Sequence, residues 1–334
     1  MKNIKRNVGA IAGAVTITML LAACGANASA DSGGTLTVKV ADTSDPGSSL
    51  NDVLNKYFAK DLSQETGKKL ALQVFPSGQL GDEVTLMKKL QAGSLDMAVV
   101  GVTNVKGLDA LYTPWFFSGW NQIEQTLDRG YLKRQFDQLK QRNTVYIGWL
   151  YRSPREITSN KPIKSPADLA GLKIRAPQFP GMIKVFSSLN ANVVALPFPE
   201  VFTSLQSGVV DAQENPVAIT NSSKFYEVQK YLDMTNHSYA PYLAFVSQQF
   251  WSKLSADQQT QFRKAWKQAQ AQSVSYVNKA VQQNIAQLKT HGMQVVQSDD
   301  QAFLARAKPV AEQYLTQVWG PDTVAKIENI APKG

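Results

Sequence analysis

The apolar runs between residues 35 and 100 leave this chain little choice of fold. "TLTVKVA" (35–41) alternates as a strand. "SSLNDVLNKYFAKDLSQETG" (48–67) sets Leu50, Val53, Leu54, Tyr57, Phe58 and Leu62 on one helical face before a glycine stop. "LALQVFP" (70–76) predicts a second strand, "DEVTLMKKLQAG" (82–93) a helix, and "LDMAVV" (95–100) a third strand, apolar enough to be covered on both faces. Strand, helix, strand, helix, strand is the pattern of a parallel α/β sheet, because parallel neighbours need a crossover and the crossover helix covers the sheet. Further on, "TVYIGWLY" (144–151) and "GLKIRAP" (171–177) predict strands, with a helix over "SPADLAG" between them: Ser165 as cap, Pro166 at the first helical position, Gly171 at the stop. After "ANVVALP" come a helix, "FPEVFTSLQSG", and a short strand, "VVDAQENP". From Ser252 the chain reads as nearly all helix, and the run 255–292 is long enough to brace two lobes.

The first thirty residues set the compartment. "MKNIKRN" carries three cations and no acid, and the apolar stretch Val8 to Ala23 is too short to span a bilayer, so residues 1–23 read as a secretory leader. "LAAC" resembles a lipoprotein box in which Cys24 is lipidated; Ala28-Ser29-Ala30 offers an alternative cleavage after Ala30. Residues 24–34 are then a linker, and a periplasmic location is expected, membrane-anchored if Cys24 is acylated. Cys24 is the only cysteine, so no intramolecular disulfide forms and the fold rests on its core. At 334 residues, 43% hydrophobic, the chain has material for about two domains. Its net charge of +9 falls to +6 without Lys2, Lys5 and Arg6. The remaining lysines are scattered, which with export argues against a nucleic-acid partner and leaves a solvated surface or an anionic small ligand. An enzyme finds little to work with: two histidines, no cysteine beyond the leader, and no nucleophile, zinc or phosphate-loop motif. A carboxylate-pair hydrolase is the one enzyme class that pattern alone leaves open.

Two arginines stand out within "PREITSNKPIKSPADLAGLKIRAP". Arg175 falls at the carboxyl end of an apolar strand, where open parallel sheets expose their ligand crevice, and Arg155 falls just past "YIGWLY". A guanidinium at either place offers a planar fork to a carboxylate; the plainer alternative is pairing with Glu156, Asp168 or Glu200. Asn215 precedes Pro216 and is therefore held extended, a setting that turns its amide outward, although an Asx turn is the commoner use of such a residue. Phe198 lies between two prolines and reads either as a rigid ring at a site or as a core aromatic. Glu83 reads as a solvated first-turn acid or a site acid, and His237 as a structural residue at a hinge.

"SNKPIKSPADLAGLKIRAP", "PFPEVFTSLQSGVVDAQENP", "SKFYEVQKYLDMTNHSY" and the pair "FPSGQLGDE" and "LQAGSLDM" together resemble the substrate-binding proteins of tripartite ATP-independent periplasmic (TRAP) transporters, the DctP-like family. The resemblance runs from about residue 35 to the end. It implies an α/β, two-lobed periplasmic-binding-protein clamp of type II-like form, each lobe a mixed, mostly parallel sheet flanked by helices. The expected lobes are 35–152 with 241–280, and 153–240 with 281–334. It also implies a monomer with no cofactor, metal or enzymatic activity, which captures an organic acid anion and delivers it to TRAP membrane subunits. A sensor kinase as recipient would use the same clamp. By the same resemblance Arg175 pairs with the ligand carboxylate, Arg155 assists, Asn215 donates a hydrogen bond, Phe198 lies along the ligand and Glu83 takes ligand hydroxyls. The chain departs from the family in Ala212, where Gly is usual, and in Gly101, where some sugar-acid binders carry a polar contact. Glu83 favours a hydroxylated acid over a C4-dicarboxylate or 2-oxo acid, since a carboxylate accepts hydroxyl protons and repels a second carboxylate.

Overall fold

Strands in the computed structural model, which describes residues 34–101 and 107–331, are β1 (Leu36–Ala41), β2 (Leu70–Phe75), β3 (Met97–Val100), β4 (Thr144–Leu150), β5 (Arg155–Ser159), β6 (Lys173–Ala176), β7 (Asn192–Ala195), β8 (Ala212–Pro216), β9 (Tyr231–Ser238), β10 (Tyr242–Ser247) and β11 (Gln294–Gln297). The leader and Cys24 lie outside the described residues. One sheet runs β2-β1-β3-β10-β4 and the other β11-β9-β5-β8-β6-β7. The parallel core expected from residues 35–100 is present, β1 pairing parallel with both β2 and β3. Each sheet is nevertheless mixed, because one strand enters it antiparallel to both neighbours: β10 between β3 and β4, and β5 between β9 and β8.

Local chemistry accounts for the elements that were mispredicted. "SPADL" is a single 3-10 turn at Pro166–Leu169, closed by a capping box between Ser165 and Asp168, because the Leu172 amide returns to Leu169 and the chain enters β6 at once. "FPE" is likewise a 3-10 turn, at Phe198–Glu200, ahead of the helix Val201–Gln206. Strands β5, β7, β9, β10 and β11 are not among those expected from the sequence; β5 and β9 alternate too weakly to announce themselves among polar neighbours.

The helix Ala256–Thr290 joins the two halves. Ser255 and Gln258 close a capping box at its start. Its first turns bury Phe262 and Trp266 against Phe58 of the helical stretch 49–65. Gly148 in β4 permits that approach: a Cβ there would lie 2.7 Å from Trp266 Nε1. Its later turns pack on the helix Val217–Ser222 and on β11, so one rod touches elements of both sheets. No helix among the described residues is long and apolar enough to cross a membrane.

Candidate functional site

A cavity of about 960 Å³ lies between the sheets. Glu83, Tyr112, Arg152 and Tyr242 line it from elements around the first sheet; Arg155, Arg175, Phe198 and Asn215 line it from the second. All five cavity-facing candidates from the sequence therefore meet at one place, but in different states.

Arg155 is committed inside the protein. Antiparallel register sets Ile157 opposite Glu214 and Arg155 opposite Pro216, so the Arg155 and Glu214 side chains share a face diagonally. Arg155 Nε donates to Glu214 Oε2, Nη2 donates to Oε1 at 2.8 Å, and Nη2 also reaches Asn215 Oδ1 at 3.0 Å. The alternatives Glu156, Asp168 and Glu200 are thereby corrected: strand alternation sends Glu156 to the other face, and the bidentate partner is Glu214. His237 Nε2 completes the group 3.1 Å from Glu214 Oε2, while its Nδ1 lies 2.9 Å from Thr235 Oγ1. Burial alone would push the Glu214 carboxyl up; Arg155 and the His237 hydrogen bond outweigh it and hold the group at about 2. Burial also keeps the His237 pKa below its ordinary value. His237 is structural, packed against Trp115 and Phe186.

Arg175 is placed differently. Its Nε and Nη2 both donate to the Leu196 carbonyl, at 3.0 and 2.8 Å, and it forms no ion pair among the described residues. It is 3% exposed. Burial pulls its pKa down to about 10; Glu214 opposes the shift and the Arg155 charge reinforces it. A desolvated cation beside a cavity, with one edge of its fork anchored on a carbonyl, is arranged to receive an anion.

Asn215 is not turned free into the cavity as its Pro216 neighbour suggested. Its Nδ2 donates to Gln213 Oε1 at 2.7 Å, its Oδ1 accepts from Arg155, and Gln213 continues to Thr158 Oγ1 at 2.9 Å. The amide is thus fixed in orientation, with one N–H of Nδ2 left over among the described residues. Phe198 is 44% exposed on the cavity wall, 6.3 Å from the Phe225 ring, and is no core residue. Glu83, at the start of the helix Glu83–Gln91, accepts from the Gly101 amide at 2.7 Å; it is a half-buried cavity acid, not a solvated one. Sequence reasoning missed Arg152, Tyr112 and Tyr242. Arg152 carried a usable signal, since it lies in the short connection between β4 and β5, three residues ahead of Arg155.

Two sheets facing each other across a cavity, with a buried arginine on one wall that has no ion pair among the described residues, are the architecture of a solute-binding clamp. The chain belongs to the bacterial extracellular solute-binding protein family 7, DctP, whose profile matches residues 40–317. Members of this family are binding proteins of transporters rather than enzymes, and this chain is an extracytoplasmic solute-binding protein. It is 35% identical, over 75% of its length and 78% of the relative's, to a solute-binding protein of Roseobacter denitrificans. It is 30% identical, over 82% and 86%, to the 2,3-diketo-L-gulonate-binding periplasmic protein of Escherichia coli. A crystal structure of a TRAP periplasmic solute binding protein from Roseobacter denitrificans with bound L-galactonate superposes with a TM-score of 0.72 at 30% identity, covering 88% of this chain and 98% of that one.

Proposed function

We propose that this protein captures a sugar acid bearing one carboxylate, of the aldonate or uronate class, and hands it to TRAP membrane subunits for ion-gradient-driven uptake. The observation that carries this reading is Arg175, a buried cation on the cavity wall whose only described partner is a carbonyl. Its free donors take the ligand carboxylate, the left-over N–H of Asn215 adds a hydrogen bond, and Phe198 covers an apolar face of the ligand. Arg155 contributes indirectly, by fixing Asn215 and adding positive potential. Similarity to a solute-binding protein crystallised with L-galactonate and to a 2,3-diketo-L-gulonate-binding periplasmic protein supports a six-carbon acid. The protein acts as a monomer that closes by bringing 35–152 with 241–280 toward 153–240 with 281–334, and it is held at the membrane through a lipidated Cys24.

A thermal-shift screen across aldonates, uronates, C4-dicarboxylates and 2-oxo acids tests the ligand class. A ligand present at a hundred times its Kd stabilises by about 2.7 kcal/mol, well within detection. Stabilisation by six-carbon sugar acids is expected; stabilisation by dicarboxylates alone would overturn the assignment. Fatty-acid labelling abolished by Cys24→Ser checks the anchor, and an unlabelled mature protein beginning at Asp31 would refute it.

A further inference from the structure

Gly101, at the end of β3, is surrounded by polar groups of the cavity wall. A Cβ at Gly101 would lie 2.6 Å from Tyr112 Oη, 2.9 Å from Arg152 Nη1 and 3.5 Å from Glu83 Oε1. The absent side chain is the space that the Arg152 guanidinium and the Tyr112 hydroxyl occupy. Arg152 is held there from several directions. Its Nη1 donates to Tyr112 Oη at 3.3 Å, and its guanidinium lies 4.6 Å from the Tyr242 ring centroid. The backbone that carries it is tied to the long helix, since the Tyr151 amide donates to Ser273 Oγ at 3.3 Å and Tyr151 Oη to Asn278 Oδ1 at 2.9 Å. Tyr112 also lies under Arg155, 5.9 Å from ring centroid to guanidinium carbon, so this aromatic separates the two cations.

Resting on the sugar-acid reading, we infer that Arg152 is a specificity-determining residue: with Glu83 it reads the terminal hydroxyl of the ligand, at the end remote from the carboxylate held by Arg175. The chemistry is that of a donor beside an acceptor. Arg152 has only donors and Glu83, when ionised, only acceptors, so together they satisfy a hydroxyl, which both gives and takes. A second carboxylate suits them poorly, because Glu83 repels the charge that Arg152 attracts. Arg152 and Glu83 lie on the wall around the first sheet and Arg175 on the wall of the second, so a ligand engaging both spans the cavity. Gly101 makes this possible by leaving room for the Arg152 guanidinium, which enters from the connection after β4.

The test is a cycle of two ligands and three proteins read by calorimetric titration. L-Galactonate and 6-deoxy-L-galactonate are titrated into wild type, Arg152→Gln and Glu83→Gln, the last keeping an oxygen for the Gly101 amide. A site built to bond a hydroxyl rejects the analogue lacking it, so wild type should prefer L-galactonate by at least about tenfold, and each variant should lose most of that preference. A purely structural role would weaken both ligands equally and leave the ratio intact; an unchanged ratio in Arg152→Gln, or no preference in wild type, overturns the inference. Failure of wild type to bind L-galactonate at all would instead remove the sugar-acid reading on which it rests. Melting curves of the unliganded variants separate a lost contact from a lost fold.

Discussion

Arg155 and Arg175 line the same cavity, and each is almost wholly buried, yet their surroundings are opposite. Around Arg155 the protein supplies its own anion: Glu214 takes the fork, His237 takes the remaining side of the carboxylate, and Asn215 caps the guanidinium. Around Arg175 the described residues supply one carbonyl and no anion. A buried pair that is complete costs much to break, whereas a buried charge without a partner is itself a cost that binding an anion relieves. The same residue type is thus completed by the protein at one position and, on the function proposed above, left for the ligand at the other.

The sharpest way to break that contrast is to remove each guanidinium in turn. Arg155→Met leaves Glu214 buried beside a neutral side chain, and removing one partner of such a pair costs about 3 to 5 kcal/mol. Urea unfolding should show a loss of that size; a loss below about 1 kcal/mol would mean that the pair is not structural. Arg175→Met should change ligand-free stability by no more than about 1 kcal/mol, because relief of an unpaired charge offsets the bond lost at the Leu196 carbonyl. Equal destabilisation by the two substitutions would erase the distinction.

Glu156 and Glu214 sharpen the comparison through pH. Glu214 sits at about 2, below its ordinary 4.5, so its contribution to stability is complete above pH 4.5 and is lost as pH falls through 2. Glu156, on the other face of the ladder, is pushed up to about 8 by burial, only partly offset by the amides of Asn236 and Thr235. Its contribution is complete below pH 4.5 and is lost as pH rises through 8. Melting temperature should therefore decline between pH 5 and 8 in wild type, and Glu156→Gln should flatten that decline by an amount worth about 1 kcal/mol or more. An unchanged slope would show that Glu156 titrates normally. The smallest effect is expected at Phe198: Phe198→Ala should shift stability by about 0.5 kcal/mol or less, since the ring is half exposed, while affinity for the acid falls several-fold in titration.

How far the sequence revealed this differs from element to element. The βαβαβ start was legible because its strands alternate or are wholly apolar and its helices carry caps. Strand β5, "REITS", was not, because its burial depends on β8 and β9, which approach from 57 and 76 residues away along the chain in a register no local pattern encodes. The same register decides that Arg155 meets Glu214, so the arginine was visible and its partner was not. Arg175, Asn215, Phe198 and Glu83 could be named from family blocks, but that Asn215 is bonded at both ends, or that Gly101 makes room for Arg152, requires the packing of β3, β4 and the segment near Tyr112 in three dimensions.

Arg175 carries the central claim, and calorimetric titration of L-galactonate into wild type and Arg175→Lys tests it most directly. Lysine keeps the charge and loses the fork, and truncating a buried, charged hydrogen-bond pair costs about 2 to 5 kcal/mol, so affinity should fall by at least about tenfold with the ligand-free melting temperature unchanged. Normal affinity in Arg175→Lys, or a loss of binding that accompanies unfolding, would contradict the claim and place the ligand carboxylate elsewhere.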